Sequence, residues 1–388
     1  MSDFANYVEL AVALTGVAVI VGLAAERLRV PYSVALLVVG IAASPLANRE
    51  PLFTFPQGLL FVFLPALVFE AALHLDPQAL LRRWMPIATL AVPGVLFTAL
   101  LIAAACSGIA GLAFAPAFVL GTIVSATDPV AVIATFKRLT VPLDLQTIVE
   151  AESLANDGIA VVLYGVGVKL AAGNHVEWLR EAGAGVYDVA AAIAIGVLFA
   201  YVYVRLLHGM QDAGYYSVGS LVLAYGSYLV ATEAHASGIF ASVAAGIAIG
   251  LFKRYSPTEE VVRDLESFWS VLAFLANSLV FLFMGFALNL QRLFAEPLVI
   301  AVALAVVFLS RELLAYGVLP FFGIIRNWRR VVAWSGLRGG LALALALNLP
   351  NDLPGRDAII HGTFVVVLVT LVVQGLTIEP LLRRLRLT

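Results

Sequence analysis

Apolar residues in this chain run in long blocks, each closed by a short polar or basic segment, instead of recurring on a single helical face. A helix needs roughly 20 such residues to cross the hydrocarbon layer of a bilayer. Stretches that approach or meet this measure lie at 5–25, 31–46, 57–74, 84–106, 112–136, 145–169, 185–206, 215–233, 237–252, 265–288, 297–320, 330–349 and 358–381. In lipid only helices and closed barrels satisfy every backbone group internally. The predicted fold class is therefore an all-α membrane protein of about 13 transmembrane helices.

Composition agrees with the pattern. Hydrophobic residues make up 62% of the chain and charged residues 12%. The mean hydropathy of +0.99 lies outside the range of soluble domains. A net charge of −2, with no basic block, gives no electrostatic footprint for nucleic acid, and none is expected as a partner. The single Cys106 excludes an internal disulfide and a multi-cysteine metal site. Met1-Ser2-Asp3 opens onto the first apolar run without a basic n-region, so a retained helix is expected there and not a signal peptide. About six residues, Arg383 to Thr388, follow the last span, and 1–388 is read as one transmembrane unit without a soluble domain.

The positions of Lys and Arg give a direction. With the N-terminus outside, inner loops and ends hold Arg27, Arg29, Arg82, Arg83, Lys137, Arg138, Arg205, Lys253, Arg254, Arg263, Arg326, Arg329, Arg330, Arg383, Arg384 and Arg386. The outer side holds Arg49, Lys169, Arg180, Arg292 and Arg356. That is 16 against 5, with Arg311 and Arg338 left inside spans. A multi-pass protein of the inner or plasma membrane is expected, N-terminus outside and C-terminus cytoplasmic.

Thirteen spans divide as six, one and six. The odd helix between them makes the two halves run in opposite directions, which is the inverted-repeat plan of secondary transporters with paired broken helices at the midplane. Spans five and twelve then correspond, and both are interrupted: Thr127-Asp128-Pro129 in one, Gly336-Leu337-Arg338-Gly339-Gly340 in the other. Crossed discontinuous helices are expected at these two places.

Span six carries the densest charge. No Lys or Arg occurs between Leu145 and Val168, yet Glu150, Glu152 and Asp157 stand there with Ser153 and Asn156. A carboxylate at such a depth is costly and is a functional site by default. At helical spacing Glu150, Ser153 and Asp157 share one stripe, and Glu152 and Asn156 the adjacent one. The first stripe offers hard oxygen ligands suited to simple cations. Glu150, nearer the inner end, reads equally as a mouth-lining residue or a ligand. In span five Pro129 has no N–H and turns Asp128 away from helix, so carbonyls near Thr127 lose intrahelical partners. Asp128 reads best as a cap on the second half-helix, neutralising its positive end.

Arg311 and Arg338 stay charged and need partners. Glu152 is the expected partner of Arg311, since the adjacent Glu312 points elsewhere on the helix. Arg338 is expected to face carbonyls freed at its own break. Glu70, near the inner end of span three, reads equally as a snorkelling interface acid or a contributor to the site. His74, His208, His235 and His361 lie near span ends and are assigned nothing beyond pH-sensitive surface charge.

Together Phe69-Glu70-Ala71-Ala72-Leu73, Thr127-Asp128-Pro129, Glu150-Ala151-Glu152-Ser153-Leu154-Ala155-Asn156-Asp157, Ser310-Arg311 and Gly336-Leu337-Arg338-Gly339-Gly340 resemble the NhaP and eukaryotic sodium–proton exchanger branch of the monovalent cation:proton antiporters. They occur in that family's order and span the chain. The specific part is Glu-Ser-Leu-x-Asn-Asp with Thr-Asp-Pro upstream.

The resemblance implies a thirteen-helix homodimer with a dimerisation domain and a moving core. The core would come mainly from spans four to six and eleven to thirteen, about 84–169 and 297–381, and the dimerisation domain from the rest. No cofactor is implied; the cargo is Na+, or Li+ or K+, and H+. Asp157 would bind cation and proton in turn, with Ser153, Glu70 and the Thr127 carbonyl completing the cation shell. Glu152 with Arg311 would be a structural ion pair, and Asn156 would orient the site. The long regulatory tail of the eukaryotic members has no expected counterpart.

Competition of cation and proton for one carboxylate exchanges them by alternating access. Asn156 stands where a second carboxylate would admit a second proton and a current, so electroneutral 1:1 exchange is expected. K+/H+ exchange is the first alternative. A cation-coupled symporter of an organic anion would need a roomier cavity with cationic groups. An intramembrane protease using Asp128 and Asp157 lacks Gly-x-Gly-Asp, His-Glu-x-x-His and Gly-x-Ser-Gly patterns. A channel is disfavoured by the buried ion pair. No enzymatic activity is expected.

Overall fold

The computed structural model describes residues 2–28, 30–44, 56–210, 212–252, 258–287 and 295–387. Arg29, Arg49, Lys253, Arg254 and Arg292, which enter the charge count, lie outside the described residues, as do the ends of the second and tenth expected spans. Among the described residues all regular structure is helical. In chain order the helices are α1 (Ser2–Leu28), α2 (Tyr32–Ala43), α3 (Pro56–His74), α4 (Pro77–Ala91), α5 (Pro93–Ala110), α6 (Phe114–Ser125), α7 (Val130–Leu139) and α8 (Leu143–Ala171). There follow α9 (Trp178–Leu207), α10 (Ala213–Glu233), α11 (Gly238–Phe252), α12 (Glu259–Ala287) and α13 (Pro297–Gly317). A 3₁₀ turn at Leu319–Phe322 precedes α14 (Arg326–Trp334), α15 (Gly340–Leu347) and α16 (Arg356–Arg384).

Seven stretches of the described residues are long and apolar enough to cross a bilayer by length and composition. The α4–α5, α6–α7 and α8 stretches are three of them.

Boundaries depart from the apolar pattern where a helix begins in polar sequence. The fourth expected span opens at Pro77 and not at 84, because Asp76 accepts a hydrogen bond from the Ala79 N–H at 2.7 Å and Pro77 occupies the first helical position. An apolar window passes over this stretch because it carries Arg82 and Arg83. The same span is divided at Val92, where Pro93 cannot continue the ladder. Charged residues likewise extend the last helix at both ends, to Arg356 and Arg384.

Ion pairs show which helix ends lie together. Arg82 and Arg83 both reach Asp144, at 2.8 and 2.9 Å, joining the middle of α4 to the start of α8. The Arg83 guanidinium also lies over the Trp328 ring of α14, 5.7 Å from its centroid. Arg138 at the end of α7 pairs with Glu379 near the end of α16. At the other end of α8, Lys169 bonds Glu181 of α9 at 2.9 Å. Such exposed pairs contribute only about 0–1 kcal/mol each. They nevertheless put Arg82 and Arg83 beside the start of α8 and Lys169 at its other end.

Packing separates two groups. The first is built on α5 against α6, α6 against α8, α4 against α8, α13 against α5, and α16 against α6 and α15. The second is built on α2 against α12, α9 and α10 against α11, and α3 against α11 and α12. Without a hydrophobic difference between lipid and side chain, such helices gain from close backbone approach at small residues. At Gly40 of α2 a Cβ would stand 2.5 Å from the Leu282 carbonyl and 2.9 Å from the Cα of Gly285 on α12. Two buried polar side chains in the second group find partners within it: Trp269 donates to Ser220 Oγ at 2.8 Å, and the Tyr203 hydroxyl to the Tyr216 carbonyl at 2.8 Å. The groups meet where α3 and α12 face α15, and α3 and α11 face α8.

Candidate functional site

Asp157 is the central residue of α8, with fourteen helical residues on either side of it. At 1.5 Å per residue it lies about 20 Å from each end. Opposite it, α6 ends at Ser125 and α7 begins at Val130, leaving Ala126 to Pro129 between the two helices. This unwound stretch is tied to α8 side chain by side chain. The Ser153 hydroxyl donates to the Thr127 carbonyl at 2.5 Å, and Thr127 Oγ1 donates to Ser153 Oγ at 3.0 Å. Asn156 Nδ2 donates to Thr127 Oγ1 at 2.6 Å, and Asn156 Oδ1 accepts from the Thr127 N–H at 3.2 Å. The sequence placed Asn156 on the Glu152 stripe, with the expected task of orienting the site. Its amide serves the site and Glu152 alike, because Nδ2 also donates to Glu152 Oε1 at 2.9 Å.

Behind this layer is a buried ion pair. Arg311 Nη1 meets Glu152 Oε1 at 2.8 Å and Nη2 meets Oε2 at 3.2 Å, a bidentate arrangement with both residues at or below 6% exposure. Arg311 Nη2 also donates to the Val332 carbonyl at 3.0 Å. Gly336 makes room for the guanidinium: a Cβ there would lie 2.6 Å from Arg311 Nε.

Arg338 corrects an expectation. It does not turn to carbonyls of its own break but crosses to the other one, donating from Nη1 to the Ser125 carbonyl at 2.7 Å and the Ala126 carbonyl at 3.3 Å. The reason is geometric. The C-terminal end of α6 presents bare carbonyls and a partial negative charge to the point where the breaks cross. Arg338 is itself held by its own N–H, which donates to Thr370 Oγ1 on α16 at 3.2 Å. In return the Asp128 N–H donates to the Leu337 carbonyl at 2.8 Å. Asp128 Oδ1 accepts from the Val130 N–H at 2.9 Å, at the positive start of α7. Each break thus serves a backbone group of the other. Thr370 and the Val332 carbonyl carried no signal in the sequence, since neither is charged or at a motif.

Asp157 differs from its neighbours. Its Oδ1 is buried without a hydrogen-bond partner. It borders a cavity of about 130 Å³ between the two helix groups, with Thr127, Asp128 and Glu70 also on the wall. The rest of the lining is largely apolar, including Leu64, Phe283 and Leu343. Glu70 therefore lines the cavity, and it is paired with His74, 3.3 Å away, to which no such partner had been assigned. Formally, Asp128, Glu152 and Asp157 bring three negative charges against two positive from Arg311 and Arg338. Glu70 on the cavity wall apart, that leaves one formal negative charge at the crossing, which one monovalent cation or one proton offsets. Among the described residues no three His, Cys, Asp or Glu side chains gather closely enough to hold a metal ion. A cation at Asp157 would draw its other ligands from hydroxyls and carbonyls.

The family model described as the transmembrane sodium/hydrogen exchanger matches residues 13–384. The chain belongs to this family. Among similar proteins, the NhaG Na+/H+ antiporter of Bacillus atrophaeus is 36% identical over 378 residues, covering 93% of this chain and 72% of that protein. The NhaH Na+/H+ antiporter of Halobacillus aidingensis is 33% identical over 398 residues, covering 97% and 96%. The solved structure of the sodium proton antiporter MjNhaP1 from Methanocaldococcus jannaschii aligns with a TM-score of 0.82 over 99% of both chains, at 21% identity, and so shows a shared fold. This sodium/hydrogen exchanger family member is a multi-pass integral membrane protein and a transporter, not an enzyme.

Proposed function

We propose that this protein exchanges one Na+ for one H+ across the membrane, electroneutrally, with both ions competing for Asp157. The observation that carries the reading is a carboxylate at the centre of α8, one oxygen unpartnered, bordering the cavity between two helix groups. Such a group is costly at the bilayer centre unless a proton or a cation neutralises it. Deprotonated Asp157 takes Na+, with Ser153, the Thr127 carbonyl and Glu70 as further ligands. Protonation then releases the cation. Asn156 holds Thr127 against Glu152, and the Glu152–Arg311 pair keeps the layer behind it rigid. Asp128 and Arg338 compensate the helix ends at the crossing.

Alternating access is assigned to the group around α4–α8 and α13–α16 rocking against the remaining helices, which would form the interface of a homodimer. The thirteen-span, inverted-repeat plan and the N-out, C-in orientation belong to this reading. They are supported by the paired breaks and by the segregation of ion-paired helix ends. The named relatives are Na+/H+ antiporters, which favours Na+ over K+. A small, mainly apolar cavity gives no support to an organic-anion symporter.

The test is dissipation of a proton gradient, read by fluorescence dequenching in proteoliposomes, as Na+, Li+ and K+ are added in turn. Dequenching with Na+ and Li+ but not with K+ is expected. Silence with all three removes the reading.

A further inference from the structure

Phe240 stands in the first turn of α11, in the second helix group, where its N–H donates to Ser237 Oγ at 3.4 Å. The start of α11 is clamped from two sides. A Cβ at Gly238 would lie 2.8 Å from the Tyr228 ring of α10, and one at Gly196 of α9 would overlap the Ala241 carbonyl. Phe240 also packs on the alanine cluster of Ala192, Ala231, Ala236 and Ala241 in that group. From this base its ring reaches the first group and lies against α8 at Gly158, the buried residue that follows Asp157. A Cβ at Gly158 would stand 2.7 Å from Cζ of the ring and 2.8 Å from Cδ2, nearer than real side chains come. Ring and notch thus interlock the two groups beside Asp157. Gly185 and Gly375, also on the border, are looser. A Cβ at Gly185 of α9 would lie 3.3 Å from Val162 of α8, and one at Gly375 of α16 would lie 3.8 Å from Pro31 and Val34.

We propose that Phe240 is a steric check on the access-changing step: the two groups reach this conformation only as its ring enters the Gly158 notch, and leave it only as the ring withdraws. The inference rests on the exchange reading and names the side chain of the second group past which α8 must slide. Packed helices move between discrete arrangements and do not deform continuously. A ring fixed in one group and seated against the backbone of the other has to leave its notch when the groups rock. Glycine at 158 gives the ring that space, as small residues do wherever membrane helices approach closely. Phe240 does not line the cavity at Asp157, so it is a positioning residue for the movement and not a ligand of the ion.

The experiment measures Na+-driven exchange at saturating Na+ in proteoliposomes, per folded and incorporated protein, for the wild type, Gly158→Ala, Phe240→Leu and the double variant. Leucine lacks the Cε2 and Cζ atoms that the added methyl group would meet. Gly158→Ala is expected to lower turnover at least about tenfold by overpacking the notch. Phe240→Leu alone, still able to enter the notch, is expected to stay within about threefold of wild type, and the double variant to return to that level. The rescue separates a steric check from damage to Asp157 next door, which a shorter side chain at 240 would not repair. Wild-type turnover in folded Gly158→Ala, a loss that Phe240→Leu does not relieve, or a tenfold loss in Phe240→Leu alone overturns the proposal. If Gly158→Ala does not fold, Phe240→Trp decides: its larger ring is expected to lower turnover as far, and wild-type turnover overturns the proposal. Wild-type proteoliposomes without Na+-driven exchange would instead remove the exchange reading itself.

Discussion

Glu152 and Asp157 are five residues apart on one helix and meet different environments. Glu152 has three hydrogen bonds, two from Arg311 and one from Asn156, whereas Asp157 Oδ1 has none. A fully paired buried carboxylate is scaffold; one with an unpartnered oxygen on a cavity wall is available to an ion. Glu152→Gln strands the Arg311 charge in the protein interior and is expected to cost about 3–5 kcal/mol. Thermal unfolding and monodispersity in detergent check this, and a well-folded variant with only a shifted Na+ affinity would contradict it. The acids of α8 were legible because carboxylates in an apolar run are conspicuous, and Arg311 was chosen for Glu152 because Glu312 lies off that face. The acceptors of Arg338 were not legible. They are backbone carbonyls some two hundred positions away, freed by a different helix break. The reach of Asn156 to both Thr127 and Glu152 was half legible, since helical spacing gives a side chain's stripe but not the span of its two amide atoms.

Among the elements, the two broken spans are decisive, and each break depends on the other. Pro129 ends one ladder by removing a donor, but the twelfth span breaks at glycines, whose role is space as much as flexibility. A Cβ at Gly339 would collide with the Asp128 side chain, so this position lets the start of α15 approach the unwound segment between α6 and α7. Gly339→Ala therefore forces the crossing apart. It is expected to lower stability by about 1–3 kcal/mol, with exchange reduced further than folded protein is lost. Paired measurement of thermal midpoint and proteoliposome rate checks this, and a wild-type rate would contradict it. The breaks could be marked from Thr127-Asp128-Pro129 and the glycine run. Their mutual hydrogen bonding could not, because it exists only once both are folded against each other. Helix starts in polar sequence were also missed: the Asp76 cap and the Arg82 and Arg83 pairs lie below any apolar threshold.

For the whole molecule, two helix groups meet along α3, α8, α11, α12 and α15, with the cavity and the crossing at their border. Alternating access at such a border moves whatever charge the crossing carries. Glu70 on the cavity wall and its partner His74 apart, Asp128, Glu152 and Asp157 against Arg311 and Arg338 leave one formal negative charge at the crossing. One Na+ or one H+ changes it by the same amount. Under the proposed exchange the loaded crossing carries the same charge with either ion, so a full cycle moves no net charge and membrane voltage does no net work on it. Currents recorded on reconstituted wild-type protein under a Na+ gradient are expected to be indistinguishable from those of protein-free membranes. A transport current that reverses with voltage would contradict 1:1 exchange and would require a second titrating acid, with Asp128 the nearest candidate.

That one carboxylate serves both ions is tested most directly with Asp157→Asn in proteoliposomes under a pH gradient. The substitution keeps size and hydrogen-bonding capacity while removing the charge that cation and proton share. Added Na+ is expected to give no dequenching beyond that of protein-free liposomes, with elution profile and helical content as in the wild type. Exchange by a folded Asp157→Asn protein at a near-normal rate would place the shared site elsewhere.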